Sequence, residues 1–572
     1  MRRPALFPPL ALLLLSAALL VSCAGTPPDI PPYEPGHWDG SPVVQTRFGV
    51  VRGEEDSDQT WVWKAIPFAQ PPVGELRWRA PRDPAPWAGV RAQGSFNGGC
   101  TQYSPVVRGS VHGSEDCLYL NVWRPRTGDT GLPVYVWIHG GGNSIGSSTM
   151  VPDYYGNRLA SLSRMVFVSV NYRLGPFGWF THPALRDSAS AEDASGNYGT
   201  LDIIQSLKWI RDNIEAFGGD PRCVTISGES AGAFDVLSMI ISPPARGLFH
   251  RAISQSGYAR THAVDEADGK ADATLRQLIV ADGKARSLDD AGLAAARMSP
   301  AEVRAYLRSK SDRQIMRCYG SWMMGMTDNA DLIRDGVVLP SAGFDVLSTG
   351  EYPGKVPLIV GTNKEEVKLF QFFSGVIPWR SELYAAAAKY SSELWKADSV
   401  DEISRRLASR PDQPPVYAYQ FAWGSPDVSG KSPMPGNWGR RLGAFHSLEI
   451  PFFLGTDTVN GVMQVLLFSG RNAPGRKALS AAIMDYAARF ARTGDPNRPG
   501  SGLPAWDPWT PGAGAPKYLV LDATSEEPVI AMSTVELTTD GVRASVETDL
   551  PEPLRTQVRE HLEKSTMPSG VR

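Results

Sequence analysis

The clearest signal along the chain is an alternation between short apolar runs and longer stretches whose apolar residues recur every three or four positions. PVYVWI (133–138), MVFVSV (165–170), CVTIS (223–227), RAISQS (251–256), VPLIVG (356–361) and VYAYQFAW (416–423) are short, rich in β-branched and aromatic residues, and several are apolar nearly throughout. A strand that is apolar on both faces must be covered on both, so these runs predict a large, mostly parallel central sheet flanked by helices, an α/β fold. Between them, LDIIQSLKWIRDNIEAFGGD places Leu201, Ile204, Leu207, Ile210 and Ile214 at three- and four-residue steps. That spacing gathers them on one helical face, and Gly218 and Gly219 supply the stop. The helix feeds directly into CVTIS, and AGAFDVLSMII (231–241) beyond that strand is again helical in period. No internal repeat, low-complexity block or linker breaks the chain after about residue 40, so residues 41–565 are expected to form a single large domain.

The amino terminus follows another pattern. Arg2 and Arg3 precede an apolar run from Leu10 to Val21, too short to span a bilayer but suited to the h-region of a signal peptide covering residues 1–22. Leu20, Val21, Ser22 and Cys23 resemble a bacterial lipobox, in which the cysteine becomes the lipidated first residue. Residues 23–40, with AGTPPDIPPYEPG, read as an extended tether. The expectation is an exported lipoprotein of the cell envelope, anchored to a membrane through Cys23, or a secreted protein if that cysteine is coincidental.

Composition narrows the partners. With 572 residues, 42% of them hydrophobic, the chain can bury a large core. Its net charge of -3 and the absence of like-charge runs point away from nucleic acid and toward a small-molecule site. Cys100 and Cys117 bracket CTQYSPVVRGSVHGSEDC and would close a surface loop in an oxidising compartment, a closure worth about 3 kcal/mol in the chain-entropy model. Cys223 reads as a small buried residue of a strand, and Cys318 has no assignment.

The chemistry turns on two matches to GxSxG, the pattern that exposes a serine on a sharp turn: GESAG (228–232) and GNSIG (142–146). With 56 glycines in the chain the pattern alone proves little. Ser230 follows a strand and precedes a helix, as a nucleophile elbow requires, and Gly228 and Gly232 leave room where the turn crowds its own flanks. Ser144 lies in a glycine-rich loop, and no helix starts beside it. HGGG (139–142) reads either as a loop whose bare backbone turns N–H groups toward a developing negative charge or as a plain glycine turn.

A serine needs a base, and in α/β hydrolases the order is serine, acid, histidine. Of the eight histidines, His250, His262, His446 and His561 follow Ser230. The first two leave no room for an acid-bearing strand, and His561 lies in a charged tail, so His446 in GAFHSLEIPFF is the candidate base. The acid belongs just after VPLIVG, where TNKEE offers both Glu365 and Glu366.

These stretches, with WKAIPFAQPPVGELRWRAP (63–81), SEDCLYLNVWRP (114–125), VNYRLGPFGWF (170–180), GNYGTLDIIQSLKWIRDNIEAFGGDP (196–221) and FARTGDPN (490–497), resemble the type B carboxylesterases, the cholinesterase-like branch of the α/β hydrolases. The resemblance covers nearly everything after residue 45. It implies an α/β-hydrolase fold, a serine esterase needing no metal or organic cofactor, and an ester as small-molecule substrate. It places the nucleophile on Ser230, the acid on Glu366, the base on His446 and the oxyanion donors on the N–H groups of Gly141, Gly142 and Ala231, and it matches Cys100 and Cys117 to a family disulfide. Thioester, carbamate or lactone hydrolysis and a non-catalytic adhesion role are the other readings. The sequence departs from the family at Asn143, where an aromatic residue is frequent, and at Val367, where glycine is usual. The Cys100–Cys117 loop holds no tryptophan to stack on a quaternary ammonium, which speaks against choline esters. CYGSWMMGM (318–326) falls where the family builds part of its acyl pocket, or is ordinary core.

Overall fold

The computed structural model describes residues 36–187, 190–457, 459 and 462–564. The expected signal peptide, Cys23 and most of the expected tether lie outside them. The strands of the main sheet are β1 (Glu54–Asp56), β2 (Thr60–Pro67), β3 (Tyr119–Pro125), β4 (Leu132–Ile138), β5 (Val166–Val170), β6 (Gly219–Glu229), β7 (Arg251–Gln255), β8 (Leu358–Asn363), β9 (Val416–Phe421), β10 (Tyr518–Ala523) and β11 (Pro528–Ser533). Their order across the sheet is β11-β10-β9-β8-β7-β6-β4-β5-β3-β2-β1. From β10 through β5 every neighbour is parallel. Antiparallel β11 closes one edge, and β3, β2 and β1 close the other.

Alternate residues of β4 divide the core into two layers, as a strand's two-residue period requires. Val134, Val136 and Ile138 pack with Leu201, Ile204 and Leu207 of α1 (Tyr198–Asn213) and with Val236 and Met239 of α2 (Ala231–Ile241). Tyr135 and Trp137 face the other way, into a layer with Ile483 and Phe490 of α3 (Ala473–Thr493). The α1 face expected from its three- and four-residue steps is therefore the buried one. After a short 3-10 turn, Gly218 ends this segment in the left-handed region at φ 78°.

The chain winds in opposite directions from the middle of this sheet. β4 leads to β5 on one side, whereas β6 and the strands after it build outward on the other. Where the winding reverses, the loops at the carboxyl ends of β4 and β6 diverge and leave a crevice. Packing also begins earlier than residue 41. Trp38, within the expected tether, is buried edge-on against Trp63, with ring centroids 6.0 Å apart, and the Arg124 guanidinium lies 3.8 Å from its ring centre. An aromatic ring with a donor to satisfy finds its partner there too, since Trp38 Nε1 donates to the Thr127 carbonyl at 3.1 Å.

Candidate active site

At the carboxyl end of β6 the chain turns sharply into α2 at Ser230, whose φ of 56° and ψ of -123° lie outside the ordinary regions for a residue with a side chain. The turn is held by its surroundings. The Ser230 N–H donates to the Gln255 carbonyl at the end of β7, 2.9 Å away. A side chain on Gly228 would run into the Gly232 carbonyl, and one on Gly232 into the Ile138 carbonyl. The first amides of α2, Ala231 among them, have no acceptor within the helix and carry its positive end.

The loop after β4 lies against this elbow. A Cβ on Gly140 would stand 2.6 Å from the Glu229 carbonyl oxygen and 3.1 Å from Ser230 Cβ, so only glycine lets the backbones approach this closely. Gly141 and Gly142 take φ of 116° and 60°. The loop closes through the Gly141 carbonyl, which accepts from the N–H groups of Ser144 and Ile145 at 3.1 and 3.0 Å. Ser144 is buried and fully occupied: its Oγ lies 2.8 Å from the Gly142 carbonyl and 3.0 Å from Asn329 Oδ1, with Thr327 Oγ1 at 3.1 Å. From CYGSWMMGM, Met326 reaches this site, because a Cβ on Gly142 would lie 2.8 Å from its sulfur. Trp322 of the same stretch is exposed.

The strand ends beyond β7 bring the titratable groups together. Glu366, three residues past β8, is completely buried. Its Oε1 accepts from Ser256 Oγ at 2.5 Å, Thr362 Oγ1 at 2.6 Å and the Asn363 N–H at 2.6 Å. Its Oε2 lies 2.6 Å from Nδ1 of buried His446. Glu365 points elsewhere, to Lys368 at 2.5 Å, Ser425 Oγ at 2.7 Å and the Ala444 N–H at 3.1 Å. Of the two neighbouring acids, Glu366 and not Glu365 therefore lies against the imidazole.

The other ring nitrogen of His446 faces a residue that motif reading passed over. Nε2 lies 3.2 Å from Oε1 of Glu229, the residue before the elbow serine, and that oxygen also accepts from Ser447 Oγ at 2.6 Å. Among the described residues no hydrogen bond joins Ser230 Oγ to His446, whose two ring nitrogens face Glu366 and Glu229. Glu449 adds a third buried carboxyl group, taking a hydrogen bond from Asn363 Nδ2 at 2.5 Å. Burial alone would lower the His446 pKa, but the charges of Glu229 and Glu366, with Glu449 behind, push it up to about 9. Burial raises Glu229 above the usual carboxylate range, with His446 and Ser447 pulling it back. Burial, then the charges of Glu229 and Glu366, push Glu449 up to about 8. Phe370 and Trp395 cover the imidazole, with centroids 5.2 and 5.1 Å from it.

Ser256, Thr362 and Asn363 were not singled out from the sequence. The polar residues that end β7 and β8, in SQSG and GTN, were the available signal. Cys100 and Cys117 form a disulfide, while Cys223 and Cys318 are free and half-buried. Among the described residues no group of three or more His, Cys, Asp or Glu side chains is arranged to hold a metal ion.

A parallel sheet with reversed winding, a strained serine at the strand-to-helix elbow, a glycine loop pressed against it and a buried Glu–His pair are the parts of an α/β hydrolase. Comparison with known proteins agrees. The model of the carboxylesterase family matches residues 40–404 and 380–537. The para-nitrobenzyl esterase of Bacillus subtilis (strain 168) is 32% identical over 494 residues, covering 81% of this chain and 92% of that protein. A fumonisin B1 esterase from Sphingopyxis macrogoltabida is 40% identical over 332 residues, 57% of each chain. The crystal structure of a Geobacillus stearothermophilus carboxylesterase superposes with a TM-score of 0.65 at 30% identity, over 86% of this chain and 98% of that one. The chain belongs to the carboxylesterase family, has the α/β-hydrolase fold and is a carboxylic ester hydrolase.

Proposed function

We propose that the enzyme works through an acyl-enzyme on Ser230. His446 Nε2 takes the proton from Ser230 Oγ as the oxygen attacks the ester carbonyl, and the tetrahedral oxyanion is received by the N–H groups of Gly141, Gly142 and Ala231. His446 then protonates the departing alkoxide, and a water activated by the same nitrogen releases the acid. Glu366 fixes the imidazole tautomer through Nδ1 and stabilises the imidazolium. The observation that carries this reading is the pairing of a backbone-strained serine at the head of α2 with a buried His446 whose Nδ1 is 2.6 Å from Glu366 Oε2. The Ser144 hydroxyl is instead spent on the Gly142 carbonyl, Asn329 and Thr327.

A phosphonofluoridate or sulfonyl fluoride tests it directly. The tryptic peptide containing GESAG gains the label and the one containing GNSIG does not. Labelling at Ser144 would refute the assignment.

The substrates we propose are short to medium water-soluble esters. The family relatives named as a para-nitrobenzyl esterase and a fumonisin B1 esterase support an ester as substrate. Turnover should fall steadily as acyl chains lengthen past the solubility limit; activation at the surface of emulsified triglyceride would contradict this. We also propose export and lipid anchoring at Cys23, supported by LVSC after the apolar run and by the early packing of Trp38, which leaves about a dozen residues as spacer. No helix among the described residues is long and apolar enough to cross a membrane. Intact-mass analysis of the mature chain decides the matter: a free Cys23 thiol, or a start elsewhere, removes the anchor.

A further inference from the structure

The acyl-transfer scheme uses the amides of Gly141 and Gly142 but does not say what aims them. The next residue, Asn143, is fully buried at φ 51°, and its carbonyl and side-chain amide are all engaged. Its carbonyl accepts from the Gly175 N–H at 2.6 Å, and its Nδ2 donates to Asp331 Oδ2 at 2.9 Å. Its Oδ1 lies 3.4 Å from the Tyr172 hydroxyl, which also reaches the His139 carbonyl at 2.7 Å.

Asp331 is itself held from behind. Its Oδ1 lies 3.2 Å from His262 Nε2, with the Arg260 guanidinium further off at 3.9 Å, and His262 Nδ1 is 2.8 Å from Glu266 Oε1. Backbone hydrogen bonds fix the imidazole against the acid: the His262 N–H donates to the Leu332 carbonyl, and the Arg334 N–H to that of His262, at 3.1 and 2.9 Å. Burial would raise the Asp331 carboxyl, but His262, Arg260 and Asn143 overcome it and hold the pKa at about 2. Burial would lower His262, yet Asp331 and Glu266 raise it. Asp235, one turn into α2, is raised well above the carboxylate range by burial and by the charge of Asp331, with Asn143 and Tyr172 pulling it back. The Asn143 NH2 group is turned to the Asp331 carboxylate, and charge-assisted hydrogen bonds of this kind are the stronger ones.

We propose that Glu266, His262 and Asp331 form a charged relay that locks Asn143, and through it the amides of Gly141 and Gly142, in the orientation that receives the oxyanion. These are positioning residues: none touches the substrate. The proposal rests on the acyl-enzyme reading above. It also explains why the loop tolerates a polar residue where the family frequently carries an aromatic one, since here that position is held by a charge-assisted hydrogen bond.

The test uses the full chain and compares Asp331→Asn, Asn143→Ala and the double variant with the parent enzyme. Each is measured for kcat and KM on p-nitrophenyl butyrate and for inhibition by an alkyl trifluoromethyl ketone, whose carbonyl adds Ser230 Oγ and becomes an oxyanion. Each single variant should lose about tenfold to a hundredfold in kcat, with KM within about twofold and ketone affinity weakened in step. The double variant should lose no more than the poorer single, because both act through one element. Unchanged kcat and ketone affinity with a lowered Tm, a loss confined to KM, or losses that multiply would each overturn the relay. If Asp331→Asn does not fold, His262→Gln carries the same expectation at about threefold to tenfold. Ser230→Ala measured in parallel separates the two readings. If it remains active, the acyl-enzyme reading falls and the relay with it; if it is dead while Asp331→Asn is normal, only the relay falls.

Discussion

Two loops of this molecule carry the same five-residue pattern and have opposite fates. In GESAG the serine stands at the end of β6 and the start of α2, where the strand direction and the helix amides converge, and its backbone is forced to φ 56°. In GNSIG the serine sits after the loop's turn has closed, and its hydroxyl is consumed by Gly142, Asn329 and Thr327. The first serine is presented by strain and the second is buried by satisfaction. A hydroxyl becomes chemically available when the fold denies it a structural partner and places a base nearby, and the motif by itself encodes neither condition.

The comparison can be broken most severely at the nucleophile. Ser230→Ala should lower kcat at least about a thousandfold while circular dichroism shows an unchanged fold, since in the proposed scheme the acyl-enzyme forms on that oxygen. An active variant would remove the distinction between the loops. The adjacent acids sharpen it next. Glu366→Gln should cost about a hundredfold to ten-thousandfold in kcat by disturbing the His446 tautomer, whereas Glu365→Gln should stay within a few-fold, as Glu365 faces Lys368 and Ser425. Steady-state kinetics on one chromogenic ester reads both, and equal losses would place the acid wrongly. Ser144→Ala should cost about tenfold or less, because its hydroxyl only braces the loop that holds Gly142.

The smallest effect is a shift in pH profile. His446 must be neutral to accept the serine proton, and its pKa is raised to about 9, so kcat/KM of the free enzyme should climb with pH up to that value. Below it, each pH unit removes about tenfold of the reactive form. Glu229→Gln deletes the charge that raises this pKa most, so the acidic limb should move to lower pH. A limb that stays in place, or moves upward, would show that the carboxylate 3.2 Å from Nε2 does not govern the base.

Much of the frame is legible from residue order. The six strand runs expected from the apolar pattern correspond to β4 through β9, because strands buried on both faces advertise themselves as near-continuous apolar runs. The antiparallel strands β2 and β3 do not. β2 contains Lys64, and β3 contains Asn121 and Arg124, which are buried but polar: Asn121 bonds the Ala65 N–H at 2.9 Å, and Arg124 NH1 bonds the Phe217 carbonyl at 3.0 Å. Partners 56 and 93 residues away make those positions tolerable, and a local pattern cannot see them. His262 shows the same limit. Chain order passes it over as a base, yet the fold sets it against Asp331 and so behind the oxyanion loop.

The sequence by itself determined the central sheet, the strand-to-helix elbow at Ser230 and the glycine loop after β4. All of these depend on backbone geometry and periodicity within a few residues, which local side-chain size and polarity dictate. Only the tertiary structure decided that Glu366 and not Glu365 meets the imidazole, that Glu229 approaches Nε2, and that Asn143 leans on Asp331. Those contacts join residues 80, 217 and 188 positions apart. Which of two neighbouring carboxylates points inward is set by the layers that pack around it, and that packing exists only once the whole sheet has closed.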